Sequence, residues 1–309
     1  MSIQSKLIWI NGDLVPYDQA TLHFLNPGLH YGVGVFEGIR SYQTESGPAV
    51  FRLTEHMQRF INSSRVLGVK EVGYNLEQLM QAVVDTVREN GFAECYIRPL
   101  LYFTGESMGL NLDAYRVNVG VAAWEWGNYL GAESRHQGVR AGTSTFTRLH
   151  PNASMTKAKI SGNYANSILA KTESVRQGFD EAIMLDPEGY VSECTGENFF
   201  LVKEGQVIAA STTSTLDGIT RDTILKLAQS EGFSVAEAKV SRDQMYIADE
   251  AFLCGTAAEV IGLREIDFRQ IGAGKVGPVT RALQDAYDRV IHGRHELSNG
   301  WLTYVSPRG

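Results

Sequence analysis

Lys157 and Lys159 stand two residues apart in Met155-Thr156-Lys157-Ala158-Lys159-Ile160-Ser161-Gly162-Asn163-Tyr164, near the middle of the chain. A lysine set among small residues just ahead of a helix can be held rigidly and partly desolvated. Desolvation and a neighbouring positive charge both lower an ammonium pKa, which makes the amine a nucleophile. Ser161-Gly162-Asn163 reads as a break and a helix start, and Ile168, Leu169 and Val175 continue an apolar helical pattern. Taken alone, these ten residues fit a solvated surface lysine as well as a working one. Their company decides between the two.

Gly218-Ile219-Thr220-Arg221-Asp222 opens a helix, whose unclaimed N–H groups and dipole suit an anion. Gly255-Thr256-Ala257-Ala258-Glu259 follows an apolar strand and offers a second set of N–H groups with one hydroxyl. Arg59 would add a full charge, and a phosphate dianion wants this combination of arginine, hydroxyls and backbone donors. Glu193 lies at a strand end in Val191-Ser192-Glu193-Cys194-Thr195-Gly196-Glu197-Asn198, where an acid can be buried facing a cationic partner. Arg98, in Tyr96-Ile97-Arg98-Pro99, sits in an apolar strand and needs either an acid or a substrate carboxylate. Gly32-Val33-Gly34-Val35-Phe36-Glu37-Gly38 is not a dinucleotide loop, because the third glycine falls one residue late and a strand follows. Its glycines let the backbone pass close to something, with Tyr31, Phe36 and Arg40 around it, or they make a tight turn beside core aromatics.

The elements that must position these residues are mixed. Asn11-Gly12 marks a hairpin between strands at 6–10 and 14–17, the second an edge strand because of Pro16. Strands are expected at 35–42, 49–53, 95–103, 116–124 and 139–146. Thr54 can cap one helix, and Asn75 with Gln78 and Gly91 brackets a clearer one. Hairpins at 182–193 and 199–209 and helices at 221–231 and 278–292 complete the second part. Strands and helices do not alternate steadily, which favours an α+β arrangement. A domain over 1–124, a connection over 125–138 and a second domain over 139–309 are expected.

Composition narrows the classes. The chain has 309 residues, is 43% hydrophobic and 20% charged, and carries a net charge of −7. That acidic balance argues against nucleic-acid or membrane-surface partners. No run reaches the roughly 18 apolar residues of a membrane span, and no secretory signal is visible. Cys95, Cys194 and Cys254 are too scattered for a disulfide framework or a zinc site. They read as free thiols in a reducing compartment, so the cytoplasm is the expected address. No metal is expected.

In order and spacing the chain resembles the branched-chain amino acid aminotransferases, fold type IV among the pyridoxal-phosphate enzymes. The likeness covers nearly the whole chain. It rests on His30-Tyr31-Gly32 with Val35-Phe36-Glu37-Gly38-Ile39-Arg40, on Arg52 to Arg59, on Tyr96-Ile97-Arg98-Pro99 and on Lys159 with Gly162-Asn163-Tyr164. Glu193 with Gly196-Glu197-Asn198, Gly218-Ile219-Thr220-Arg221 and Gly255-Thr256-Ala257-Ala258-Glu259 continue it. The resemblance implies a two-domain, D-amino acid aminotransferase-like α+β fold with a small α/β N-terminal domain and a larger C-terminal pseudo-barrel.

It also implies the site. Lys159 would hold pyridoxal 5'-phosphate as an aldimine, which leaves Lys157 a decoy. Glu193 would bind the pyridine nitrogen and keep the ring an electron sink, and Tyr164 would bind the ring oxygen. Arg59, the Gly218-Ile219-Thr220 turn and Thr256 would hold the phosphate, with Leu216 on one ring face. The substrate carboxylate would meet Ala257-Ala258, helped by Tyr96 and Arg98. Phe36, Gly38, Arg40, Trp126, Tyr129 and Tyr164 would surround the side-chain pocket. Tyr31 and Met108-Gly109-Leu110 would reach in from a partner subunit, so a homodimer is the implied minimal unit, extensible to a hexamer as a trimer of dimers. The implied reaction is ping-pong transfer of the amino group of leucine, isoleucine or valine to 2-oxoglutarate, with Lys159 as the general acid–base.

Two departures stand out: Cys194-Thr195 replaces smaller residues, and Thr104-Gly105-Glu106-Ser107 leaves the substrate range open. D-amino acid and (R)-amine aminotransferases and aminodeoxychorismate lyases share the lysine and phosphate residues. Tyr31, Phe36, Gly38 and Arg98 favour the branched-chain enzyme over them. The rivals from other classes are a cofactor-binding protein without turnover and a nicotinamide oxidoreductase.

Overall fold

The computed structural model describes residues 5–105, 108–127 and 133–305. The chain divides into two compact units, one of Met1–Trp126, Ala158–Gly162 and Val290–Gly309, the other of Gly127–Lys157 and Asn163–Arg289.

The first unit is built on strands β1 (Leu7–Ile10), β2 (Asp13–Pro16), β3 (Val35–Phe36), β4 (Ile39–Thr44), β5 (Gly47–Phe51), β6 (Cys95–Thr104) and β7 (Arg116–Trp124), with a terminal strand Leu302–Tyr304. The sheet runs terminal strand–β5–β4–β6–β7–β1–β2, with β3 also on β6, and the pairings within it are antiparallel. Pro16 lies on the edge strand, where its missing N–H costs no ladder bond. A short helix α1 (Pro27–Tyr31) is capped by the Asn26 side chain and stops at Gly32, φ 67°. Helices α2 (Leu53–Leu67) and α3 (Leu76–Asn90) bury Met57, Phe60, Leu79, Val83 and Val87 into one core with Ile39, Ile97, Leu101 and Phe103.

Asn75 and Gln78 form the expected capping box of α3, closed by Gly91. The cap of α2 differs from expectation. Arg52, at φ 53°, occupies the position given to Thr54, because its guanidinium pairs with Glu55 at 2.5 Å and stacks 4.6 Å from the Trp301 ring. The strand expected over 35–42 breaks at Glu37-Gly38, and the break carries Glu37 inward.

The second unit holds β8 (Val139–Thr143), β9 (Glu181–Leu185), β10 (Val191–Cys194), β11 (Asn198–Lys203), β12 (Gln206–Ala210), β13 (Val235–Ala238), β14 (Glu250–Gly255), β15 (Glu259–Ile266) and β16 (Arg269–Gln270). The order β10–β9–β8–β15–β14–β11–β12–β13, with β16 on β15, mixes parallel and antiparallel pairs. Helices α4 (Tyr164–Arg176), α5 (Ile219–Ser230) and α6 (Pro278–Ile291) belong to this part of the chain. Helix α4 forms where expected, but Ile168, Leu169 and Val175 are 64%, 51% and 55% exposed. Its buried residues are Ser167, Ala170 and Ser174, small side chains that bring the helix close to β9.

The expected domain boundaries also change. Residues 290–309 join the first unit because Leu302–Tyr304 pairs with β5, and 158–162 join it because Ile160 bridges Val35. The connection expected at 125–138 contains 128–132, outside the described residues, then the helical turn Ser134–Gln137.

Candidate active site

The residues singled out fall into two sets, one in each unit. In the first unit, Lys159 is fixed by its backbone. Its carbonyl accepts from Phe36 N at 3.1 Å, its N–H donates to Ser63 Oγ at 3.0 Å, and Ser161 N donates to Gly34 O at 2.9 Å. The glycine run exists for this contact. A Cβ on Gly32 would stand 3.1 Å from Gly162 Cα, and one on Gly162 would stand 3.1 Å from Gly32 O, so the two segments touch backbone to backbone. The "something" that the glycines let approach is the lysine segment itself. Lys159 Nζ lies 5.2 Å from the Phe36 ring centroid. Lys157 belongs to the second unit, is exposed, and pairs with Asp217 at 2.7 Å.

Beside Lys159 is a buried group that sequence reasoning left without a role. Glu37, fully buried, accepts from Arg59 Nε at 2.7 Å and Nη2 at 2.8 Å, from His56 Nδ1 at 2.7 Å and from Gly38 N at 3.3 Å. Burial by itself would raise its pKa. The Arg59 guanidinium and the His56 ring outweigh that and hold the carboxyl far below the ordinary range. Burial pushes the His56 ring down, so it is neutral at pH 7 and its Nδ1 carries the hydrogen. Arg59 therefore commits Nε and Nη2 to Glu37, a partner that was not foreseen.

Arg98 has its Cζ 4.6 Å from the Phe36 ring, 5.3 Å from Tyr96 and 5.9 Å from Trp124. Its Nη2 donates to Tyr96 Oη at 3.3 Å, and its buried Nε has no partner among the described residues. Tyr96 meets Trp126 edge-on at 4.6 Å, and Gly38 lies against the Tyr96 hydroxyl. Arg40 Nη2 donates to Trp126 O at 2.7 Å. The exposed Tyr31 donates to Met108 O at 2.6 Å, Gly109 O accepts from Tyr115 Oη, and Leu110 is 86% exposed. Tyr129 lies outside the described residues. Trp124 is a member of this aromatic group that the motifs did not name.

In the second unit, Glu193 sits buried at the end of β10. Its Oε1 accepts from Arg148 Nε at 2.7 Å, and its Oε2 accepts from Leu216 N at 3.0 Å and Asn198 Nδ2 at 3.4 Å. Asn198 Nδ2 also donates to Leu216 O at 3.0 Å, which joins the carboxylate to the loop before α5. Arg148 is the cationic partner expected for Glu193. No local pattern announces it, since it is a loop residue 45 positions away. At the start of α5, Gly218 has no side-chain cap bond, and the first-turn residues Ile219, Thr220 and Arg221 are buried. Arg221 Nε is buried without a partner among the described residues. A Cβ on Gly218 would lie 1.9 Å from Asn198 Oδ1, so a larger residue there would displace the Asn198 amide. Thr256, Ala257 and Ala258 form the turn from β14 to β15, and Tyr164 is the half-buried first residue of α4.

These donors fit a phosphorylated pyridine. An uncapped helix start of buried residues suits the phosphate, and a buried, charge-paired carboxylate at a strand end suits a pyridinium N–H. The residues present could hold such a group. Among the described residues, no cluster of His, Cys, Asp or Glu suits a metal.

Residues 34–266 match the family model described as amino-transferase class IV. The chain belongs to the class IV aminotransferases. Within that family it is 47% identical over 305 residues to the branched-chain-amino-acid aminotransferase of Pseudomonas aeruginosa, covering 99% of each chain. The solved branched-chain amino acid aminotransferase of T.th. with pyridoxamine 5'-phosphate is 47% identical, with a TM-score of 0.95 over 99% of this chain and 100% of that one. The same T.th. enzyme complexed with N-(5'-phosphopyridoxyl)-L-glutamate gives 46% identity and 0.94 over the same shares. The α+β expectation agrees with these structures.

Proposed function

We propose that this protein transfers the amino group of L-leucine, L-isoleucine and L-valine to 2-oxoglutarate, using pyridoxal 5'-phosphate. The observation that carries the reading is the full-length similarity to enzymes of that name, in a chain that keeps both a backbone-fixed Lys159 and a charge-paired Glu193. Bound pyridoxal phosphate supplies the electron sink that lets a carbon–hydrogen bond next to the amine break.

Lys159 Nζ would move the proton, taking it from the substrate α-carbon and returning it to the cofactor carbon on the other side of the amine nitrogen. Glu193 holds the pyridine N–H with its charge fixed by Arg148. Arg59, Thr256 and the Ile219 and Thr220 N–H groups hold the phosphate, Gly218 gives them room, Leu216 packs on the ring and Tyr164 binds its oxygen. Ala257 and Ala258 receive the substrate carboxylate. Phe36, Gly38, Tyr96 and Trp126 line the apolar pocket, with Arg40 tying Trp126 in place. Arg98 with Tyr31 receives the second carboxylate of glutamate. Its orphaned Nε in an aromatic surround supports an anion partner.

A homodimer is the working assembly. The exposed Phe24, Leu25, Leu29 and Leu110 of the first unit support a covered surface. The three buried, unbridged cysteines support a cytoplasmic address. The test is the visible spectrum of the purified protein before and after L-leucine, with D-alanine and (R)-1-phenylethylamine in parallel. A yellow band that fades with L-leucine and returns with 2-oxoglutarate is expected. A response to D-alanine or the amine alone moves the protein to a sister activity, and no band after adding pyridoxal phosphate overturns the reading.

A further inference from the structure

Helix α2 presents His56, Arg59 and Ser63 along one face, at i, i+3 and i+7 spacing. Ser63 takes the Lys159 N–H, while His56 and Arg59 both take Glu37, the residue that follows the strand to which the lysine segment pairs. One helix face and one strand break therefore set the lysine backbone and the Arg59 guanidinium together.

We propose that Glu37 and His56 are positioning residues for the reaction: Glu37 locks the plane of the Arg59 guanidinium through a two-point fork, and His56 locks Glu37. The proposal rests on the reading of Arg59 as a phosphate ligand. A lone arginine on this face would place an uncompensated charge beside Lys159 and keep several rotamers. The fork removes both problems, because a bidentate carboxylate–guanidinium pair fixes a plane as well as a distance. Counting charges, Glu37 is −1, Arg59 +1 and His56 neutral, so the trio adds no net charge next to the Lys159 amine. Those groups and Lys159 are the ionisable ones that the electrostatics couple here.

The test compares wild-type holoenzyme with Glu37→Gln, Arg59→Lys and the double variant. Three quantities are read: pyridoxal phosphate retention by equilibrium dialysis, kcat and KM for L-leucine, and the pH midpoint of the visible band. Glu37→Gln is isosteric but takes away the negative end of the fork. Arg59→Lys keeps the charge and removes the fork geometry. Each single variant should hold the cofactor about 10-fold or more weakly, with kcat reduced more than KM is raised. The double variant should be no worse than the poorer single, because both break the same fork. The midpoint should move to lower pH in Glu37→Gln, since losing a negative neighbour disfavours the protonated form.

Retention within about 2-fold of wild type in Arg59→Lys overturns the proposal, because charge alone then suffices. So do multiplicative effects in the double variant. If Glu37→Gln fails to fold, Glu37→Asp, which keeps the charge and shortens the reach to Arg59, takes its place in the same comparison. Wild type that binds no pyridoxal phosphate would sink the functional reading instead, so the two failures are distinguishable.

Discussion

Two buried glutamates, one in each unit, show that burial raises a carboxyl's pKa unless facing cations and donors outweigh it. Glu37, in the first unit, is fully buried and far below the ordinary carboxyl range, because Arg59 and His56 both face it. Glu197, in the second unit, is 4% exposed and shifts the other way. Burial comes first among its causes. Glu181 adds a like charge and outweighs Lys171, whose ammonium pairs with Glu181 at 2.5 Å. Glu193, four residues before Glu197 and at the end of β10, has Arg148 and two further donors on its oxygens. Glu193 has been given a cation and donors, whereas Glu197 faces a like charge and has its pKa raised.

The largest expected effect tests the division of labour between the two lysines. Lys159→Ala should lower turnover of L-leucine with 2-oxoglutarate by more than about 10³-fold, because it removes the proton carrier. Lys157→Ala breaks only an exposed pair with Asp217 and should stay within about 2-fold of wild type. Steady-state kinetics on both variants decide, and reversed results would dismantle the placement of the site. Next is Glu193→Gln, which keeps the shape but not the charge that Arg148 holds. Turnover should fall by about 10²-fold or more while some cofactor remains bound. Undiminished kcat would remove the electron-sink role.

A third variant addresses stability alone. Lys171→Met leaves Glu181 buried without its ammonium, and a broken buried pair costs about 3–5 kcal/mol, reduced here because Lys171 is partly exposed. Urea denaturation should show a lower midpoint with an unchanged slope.

Legibility in the sequence follows the range of the forces. The capping box of α3 is local, and Asn75, Gln78 and Gly91 announce it. The Gly218 helix start and the Thr256–Ala258 turn are local too, and small residues mark both. Arg148 was invisible, because its claim on Glu193 is made across 45 residues by a loop without periodicity. The inward turn of Glu37 was hidden for a similar reason: the apolar run around it reads as continuous strand, and only the partners on α2 explain the break. On α4, the pattern of Ile168, Leu169 and Val175 showed a helix but not which face is inside. Ala170 and Ser174 allow the close approach to β9, which leaves the larger side chains outward. The return of 302–304 to β5 carries no local mark at all.

The smallest effect separates the two kinds of buried glutamate most cleanly. Glu197 has its pKa raised in the folded protein, so the native state binds its proton more tightly than the unfolded chain does. Its contribution to stability is complete below the unfolded carboxyl value, near about 4.3, and is lost as pH rises through the raised folded value. Glu37 has the opposite sign: its contribution is present above the unfolded value and is lost as pH falls toward its depressed folded one. Glu197→Gln cannot ionise, yet its amide oxygen can still accept from Gly196 N as the carboxyl does. The variant should match wild type at about pH 5 and exceed it by a few degrees in Tm at about pH 8.5, since each unit of pKa shift corresponds to about 1.4 kcal/mol. Thermal unfolding at the two pH values measures this directly. An equal Tm difference at both would mean that Glu197 is already ionised in the native state, and the contrast with Glu37 would fail.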